Sequence, residues 1–254
     1  MDEGLVGKRV LVTGGSRGLG AATVRRFAES GATVLAAARN APAEPLPATF
    51  IPGDLGTAAG AAALARRVLD EVGGIDILVD NAAAATGPVA TLDRTDESWL
   101  ADLDANLLGA VRLDRELVPG MVERGTGVVV HVSSIASRLP QNREVSYAAA
   151  KAALNAYSRT LAAEVGPHGV RVVCVLPGFI ATEGALSHLQ QFADQQGITI
   201  EEQTRQVVEH LNLPMGRPGE PEDAAELIAF LASSRAKWLT GAQFRVDGGI
   251  IPTT

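Results

Sequence analysis

Short apolar runs alternate along this chain with longer stretches in which apolar residues recur at helical spacing. The runs lie at Arg9–Thr13, Thr33–Ala37, Thr49–Ile51, Ile75–Val79, Val128–Ser133, Arg171–Leu176 and Gln243–Val246. Most are unbroken Val/Ile/Leu segments, as expected for strands covered on both faces. Helical period marks Gly18–Ser30, Ala58–Val72, Glu97–Arg124, Val145–Val165 and Pro221–Ser233. Gly31 stands where a helix ends, and Glu220-Pro221-Glu222-Asp223 puts proline and acids where a helix begins. The alternation predicts βαβ units in a single α/β domain, a doubly wound Rossmann-type parallel sheet of about seven strands. Residues 183–219 fall outside it, with amphipathic signals only around Leu186–Phe192 and Glu201–Leu211. Long insertions of this kind are lids, binding loops or disorder, and this one is expected to be a substrate-binding lid.

Composition narrows the function. Of 254 residues 46% are hydrophobic and 20% charged, which supports a sizeable core and excludes a disordered chain. Lys and Arg number 22 against 29 Asp and Glu, a net charge of −7, which argues against nucleic acid as partner. One cysteine, Cys174, permits neither an intramolecular disulfide nor a cysteine-built zinc site, and reads as a small core hydrophobe of a reducing compartment. The acidic start Met1-Asp2-Glu3-Gly4 lacks a signal peptide's charged region, and no apolar run approaches the roughly 18 residues of a membrane helix, so a cytoplasmic protein without membrane contact is expected. His131, His168, His188 and His210 are scattered, and no metal is expected. Trp99 and Trp238 read as packing anchors.

Chemistry enters at the end of the first strand, in Thr13-Gly14-Gly15-Ser16-Arg17-Gly18-Leu19-Gly20. Glycines there let a phosphate approach backbone N–H groups at a helix start, the arrangement of a dinucleotide cradle. The spacing is not G-x-G-x-x-G, and an ordinary glycine-rich turn would read the same way. The second strand ends Ala36-Ala37-Ala38-Arg39-Asn40, with Ala38 where an acid would hold a ribose 2′-hydroxyl. Arg39 and Arg17 supply two cations for a 2′-phosphate, favouring NADP(H) over NAD(H), unless both are simply solvated. Tyr147 and Lys151 lie four apart on one helix face. A phenol ionises near pH 10, and an ammonium one turn away favours the phenolate. Taken alone, such a pair is common on any exposed helix.

Together, Thr13-Gly14…Gly18-Leu19-Gly20, Asn81-Ala82, Ser134, Tyr147-x-x-x-Lys151 and Pro177-Gly178 resemble the short-chain dehydrogenase/reductase family, from about Val6 to Gly249. The resemblance implies that Tyr147 is the general acid in carbonyl reduction and the base in alcohol oxidation. It implies that Ser134 hydrogen-bonds the substrate oxygen, that Lys151 holds the nicotinamide ribose, and that Asn106 anchors a water-linked proton relay. Ser133 would face the other side of its strand. For the cofactor it implies contacts from Gly14, Ser16, Arg17, Gly18, Leu19, Gly20, Arg39, Leu55, Asn81, Ala82, Tyr147, Lys151, Pro177 and Gly178. Asp54 would bond the adenine, with a turn or cap as its other reading, and Thr182 with Ile180 would lie near the carboxamide. The chain departs from the family's Asn-Asn-Ala-Gly in Asp80-Asn81-Ala82-Ala83, which sets a carboxylate in a buried turn. The family also implies a homotetramer or homodimer built through the Glu97–Arg124 and Val145–Val165 helices and the C-terminal strand and tail.

The expected activity is hydride transfer between NADP(H) and a small-molecule carbonyl or secondary alcohol, as a ketone reductase of 3-oxoacyl-thioester type. A dehydrogenase of a sugar, polyol or secondary-metabolite alcohol is the alternative. A catalytically idle nucleotide-binding relative acting through protein partners is a third reading, opposed by the intact Asn106, Ser134, Tyr147 and Lys151.

Overall fold

In the computed structural model, which describes residues 3–141 and 143–252, the apolar runs become seven strands. They are β1 Arg9–Thr13, β2 Thr33–Ala38, β3 Thr49–Pro52, β4 Ile77–Asp80, β5 Gly127–Val132, β6 Val170–Pro177 and β7 Gln243–Val246. All pair in parallel in the order β3-β2-β1-β4-β5-β6-β7. The order reverses between β1 and β4, and the crevice past the carboxyl ends of those strands is where such sheets bind ligands.

Helices α1 Gly18–Glu29, α2 Ala58–Val72, α3 Asp96–Leu103, α4 Gly109–Arg124, α5 Val145–Val165, α6 Glu183–Gln196, α7 Ile200–His210 and α8 Pro221–Ala232 surround the sheet. Side chains alternate across a strand, so each face buries its own set. Val10, Val12, Val79 and Val175 pack with Val24 and Phe27 of α1 and Ile228 of α8. Leu11, Leu78 and Val129 pack with Leu64 of α2, Leu113 and Leu117 of α4 and Ala162 of α5. Period two carries Thr13, Asp80 and His131 onto that second face as well, at its catalytic end.

Four features differ from the sequence pattern. β4 begins two residues later than expected, because the Asp76 carboxylate turns aside to Arg9, accepting from its backbone N at 2.9 Å and from Nη2 at 2.7 Å. It also runs one residue further, so Asp80 ends a strand instead of occupying a turn. The expected helix Glu97–Arg124 contains a π turn at Asp104–Leu108, braced by Arg112, whose Nη2 donates to Asp104 Oδ1 at 2.6 Å and Nη1 to the Gly56 carbonyl at 3.0 Å. Trp238 is not an anchor: it is 93% exposed in the turn before β7, on the rim of a groove of about 520 Å³ at the amino-terminal end of the sheet. Among the described residues, no element reaches over that turn to cover the ring.

Residues 183–219 are ordered as α6 and α7 and a return segment. Thr182 and Thr199 start the helices, their hydroxyl oxygens accepting from Ala185 N and Glu202 N, both at 3.2 Å. Leu211, Leu213 and Val208 pack with Ile135, Phe179 and Ile250, which ties the segment to the strand ends beside Ser134.

A buried ion pair holds the loop after β4 against α5. Asp102 accepts from Thr86 N at 2.9 Å and Thr86 Oγ1 at 3.0 Å, from the Ser146 hydroxyl, and from Arg94 at 3.4 Å. Arg94 also donates to the Gly87 and Arg143 carbonyls, at 2.8 and 2.9 Å. Replacing Asp102 by Ala leaves the Arg94 guanidinium buried and unpaired, and is expected to cost about 3–5 kcal/mol in a urea melt. A cost below about 1 kcal/mol would place the pair among solvated surface bridges.

Candidate active site

The glycine segment after β1 folds as a cradle. Gly14 (φ +64°) lies so close to the chain after β4 that a β-carbon would sit 2.9 Å from Ala82 Cα. Gly18 (φ +53°) opens α1 against Thr182, whose Cβ would lie 3.2 Å from such a carbon. Both positions combine a left-handed backbone with a close approach, which only glycine meets without strain. Thr13 Oγ1 accepts from Asn81 N and Ala82 N at 3.0 Å each, and Asn81 Nδ2 donates to the Thr13 carbonyl at 2.9 Å. Asn81 and Ala82 thereby border the glycine turn. The exposed N–H groups of a helix start and the missing side chains fit the pyrophosphate of a dinucleotide.

Other expected cofactor positions are spread around this cradle. Arg17 and Arg39 are exposed, and neither forms an ion pair among the described residues. Ser16 sits half-buried in the turn, whereas the Leu19 side chain goes into the core, leaving only its backbone to the cradle. Asp54 is exposed and its Oδ1 accepts from Gly56 N at 3.0 Å, so the turn reading describes it here, while Thr57 caps α2. Pro177 ends β6, Gly178 N donates to the Val246 carbonyl at 3.0 Å, and Ile180 pairs with Gly219 in an isolated parallel bridge.

The catalytic candidates converge. Ser134 follows β5 and starts a short 3₁₀ turn, its Oγ accepting from Ala136 N at 3.1 Å and meeting the Tyr147 hydroxyl in a hydrogen bond. Ser133 faces the other way, its Oγ donating to the Lys151 carbonyl at 3.2 Å. Lys151 Nζ lies 5.8 Å from the centre of the Tyr147 ring and donates to the Val132 carbonyl at 2.8 Å. Asn106 occupies the π turn, where Nδ2 donates to the Ala84 carbonyl at 2.6 Å and the Asp102 carbonyl at 2.9 Å. A cavity of about 10 Å³, room for one water, brings Thr13, Leu55, Asp80, Asn106 and Lys151 together.

Electrostatics here follow burial. Lys151 is 1% exposed, and desolvation pulls its ammonium down to about 8. The Tyr147 hydroxyl is pushed above its ordinary value by desolvation, against the Ser134 hydrogen bond, with Glu144 and Asp102 adding to the rise. The lowering expected from an ammonium one turn away is not found here: Ser134 alone acts in that direction, and burial exceeds it. Behind Lys151 lies a group that sequence spacing does not show: Asp80, Asp114 and His131 bring side-chain atoms within 4.8 Å of one another. All three are buried. The signal available in the sequence was Asp80 alone, an acid at the end of an apolar strand.

Comparison with known proteins agrees with this geometry. Residues 14–251 match the family model described as enoyl-(acyl carrier protein) reductase. The chain is 32% identical over 254 residues to the 3-oxoacyl-[acyl-carrier-protein] reductase FabG of Vibrio cholerae, covering 97% of this chain and 98% of that one. It is 34% identical to the L-fucose dehydrogenase of Mus musculus, covering 96% and 88%. The crystal structure of the L-sorbose reductase of Gluconobacter frateurii, complexed with NADPH and L-sorbose, superposes with a TM-score of 0.93 over the whole of both chains at 32% identity. The fold order, the glycine cradle and these matches show that the chain belongs to the short-chain dehydrogenase/reductase family, oxidoreductases that interconvert carbonyl and alcohol groups.

Proposed function

We propose that the protein is an NADPH-dependent ketone reductase whose preferred substrate class is a 3-oxoacyl thioester. The observation that carries the reaction is the convergence of Ser134, Tyr147 and Lys151 beside the glycine cradle at the carboxyl end of the parallel sheet. The cradle residues Gly14, Gly18, Asn81 and Ala82 would hold the dinucleotide, which supplies the hydride when bound. Ser134 orients the substrate oxygen and donates to it as negative charge develops. Tyr147, whose phenol is protonated at neutral pH, delivers the proton that completes the alcohol. The Asp102 network holds the first turn of α5, and with it Tyr147, through Ser146.

Support for NADP(H) comes from Arg17 and Arg39, both exposed and free of ion pairs among the described residues, and from Ala38 where an acid would repel a 2′-phosphate. The similar L-sorbose reductase is itself a complex with NADPH. Several curated relatives are FabG reductases, which supports the thioester substrate. Exposed Leu186, Phe192 and Met215 of the 183–219 segment offer apolar surface for an acyl chain, in keeping with a lid. A sugar or polyol is the second reading, supported by His188 of α6, which lies within electrostatic reach of Glu144 near Tyr147. The reading includes a cytoplasmic homo-oligomer built through α4, α5 and β7.

Three experiments test it. Tyr147→Phe is expected to lower kcat about 10²–10⁴-fold while NADPH binding, followed by nicotinamide fluorescence, stays within about twofold. Unchanged turnover would remove Tyr147 from the chemistry. Arg39→Ala is expected to weaken NADPH binding about tenfold or more and leave NADH binding unaltered. A parallel panel of a 3-oxoacyl thioester and a ketose decides between substrates, the larger kcat/KM naming the class.

A further inference from the structure

Asp80 and His131 are register partners on β4 and β5, and Asp114 reaches them from α4. His131 Nε2 lies 3.0 Å from Asp114 Oδ2 and 3.8 Å from Asp80 Oδ2. Neither Asp80 oxygen has an N–H or O–H donor from another residue, and Asp114 Oδ1 and His131 Nδ1 are likewise buried without a partner. Asp80 and Asp114 stand side by side, so they bond to each other only when one carries a proton. Facing this group from α5 are Tyr157, whose hydroxyl donates to Asp114 and whose ring centre is 5.6 Å from that of His131, and Lys151; Arg115 of α4 acts on Tyr157, and Cys174 of β6 is the register partner of His131.

Lys151 needs a negative charge and has none in contact. Its Nζ donates to one carbonyl, and no carboxylate lies within ion-pair distance of it among the described residues. Burial opposes its ammonium, while Cys174 and Asp80 are the neighbours able to favour it. Burial pushes the Cys174 thiol up to about 12, so it stays neutral where an enzyme works. That leaves Asp80, which shares the small cavity with Lys151. Burial first, and then the charge of Asp114, hold the Asp80 carboxyl well above the usual carboxylate range. The charge of Asp80 favours that of Lys151, and the reverse, across the cavity they line.

We propose that Asp80 is a positioning residue for the reaction: across the cavity they share, its carboxyl group decides whether Lys151 is charged, and Asp114 sets when Asp80 itself is charged. The inference rests on the proposed function, with Lys151 beside Tyr147 as the residue that would hold the nicotinamide ribose. The Asp80 departure from the family's asparagine thus gives this chain its own control over the lysine on which cofactor and tyrosine depend.

The test is the pH dependence of NADPH binding, followed by fluorescence, and of kcat/KM for ketone reduction, in the full chain and two variants. The parent is expected to show an inflection at about 8, where the Lys151 ammonium is lost. Asp80→Asn removes the opposing charge and is expected to move the inflection down by about one pH unit. Asp114→Asn lets Asp80 ionise more easily and is expected to move it up by about the same amount. Opposite shifts are a signature that loss of packing does not produce; equal shifts, or none, overturn the proposal. Should Asp114→Asn not fold, infrared spectra of the parent on either side of the inflection decide. A buried protonated carboxyl band seen at low pH, lost as pH rises toward the inflection and absent from Asp80→Asn, supports the proposal; a parent without that band, or one that keeps it above the inflection, overturns it. A divalent cation retained by the purified parent, whose removal by a chelator shifts the inflection, also overturns it. A parent that binds no NADPH and reduces no ketone instead refutes the functional reading, with the infrared band still reporting on Asp80.

Discussion

A lysine ammonium removed from water is the constraint around which this molecule is arranged. Lys151 projects from α5 into the space behind the crevice between β1 and β4, where the surrounding strands are almost wholly apolar. Its charge costs several kcal/mol to bury without a partner. The Val132 carbonyl compensates part of that, and the remainder falls to polar groups drawn into the same space. Thr13, Asn106 and Asp80 line it because β1, the π turn and β4 all end there. The proposed chemistry and a costly desolvation therefore share one place, and neither can be altered without disturbing the other.

Around that centre, rigidity comes from buried polar bonds and not from packing alone. The Arg94–Asp102 pair closes the loop after β4 onto Ser146, one residue before Tyr147. Thr13 fixes Asn81 and Ala82 by accepting two backbone donors with a single hydroxyl oxygen. Asn155, on α5, donates to Ser137 Oγ at 2.8 Å and accepts from Cys174, which joins the turn after Ser134 to β6. The Thr13–Asn81 and Asp102–Ser146 bonds join elements far apart in sequence, so the candidate site residues are held by the sheet as well as by their own helices.

The same distinction explains what could be read from residues alone. Strands such as β1 and β6 declare themselves because burial on both faces leaves a run with few polar interruptions. Tyr147 and Lys151 share a helix face by local spacing, and Gly14 and Gly18 mark backbone that other residues resist. The 183–219 helices gave only weak apolar periods, yet Thr182 before Glu183 and Thr199 before Glu201-Glu202 are cap signals that point to both. The Asp80–Asp114–His131 group has no local signature, since it forms through strand register and helix packing across 34 and 17 residues. Trp238 misled for the complementary reason: size suggests burial, but no neighbouring element among the described residues covers its turn.

The π turn carries a geometric consequence. Asp104–Leu108 takes one residue more than an α turn to go round, so α4 follows α3 with its residue count one ahead of its angle. Were the same residues to close up as a regular α-helix, everything beyond them would rotate by about 100° relative to α3. Asp114 would swing away from His131, and Leu113 and Leu117 would leave the sheet face they fill. The bulge thus serves as a phase adjuster, letting one continuous rod present a loop-anchoring carboxylate at one end and a core stripe at the other.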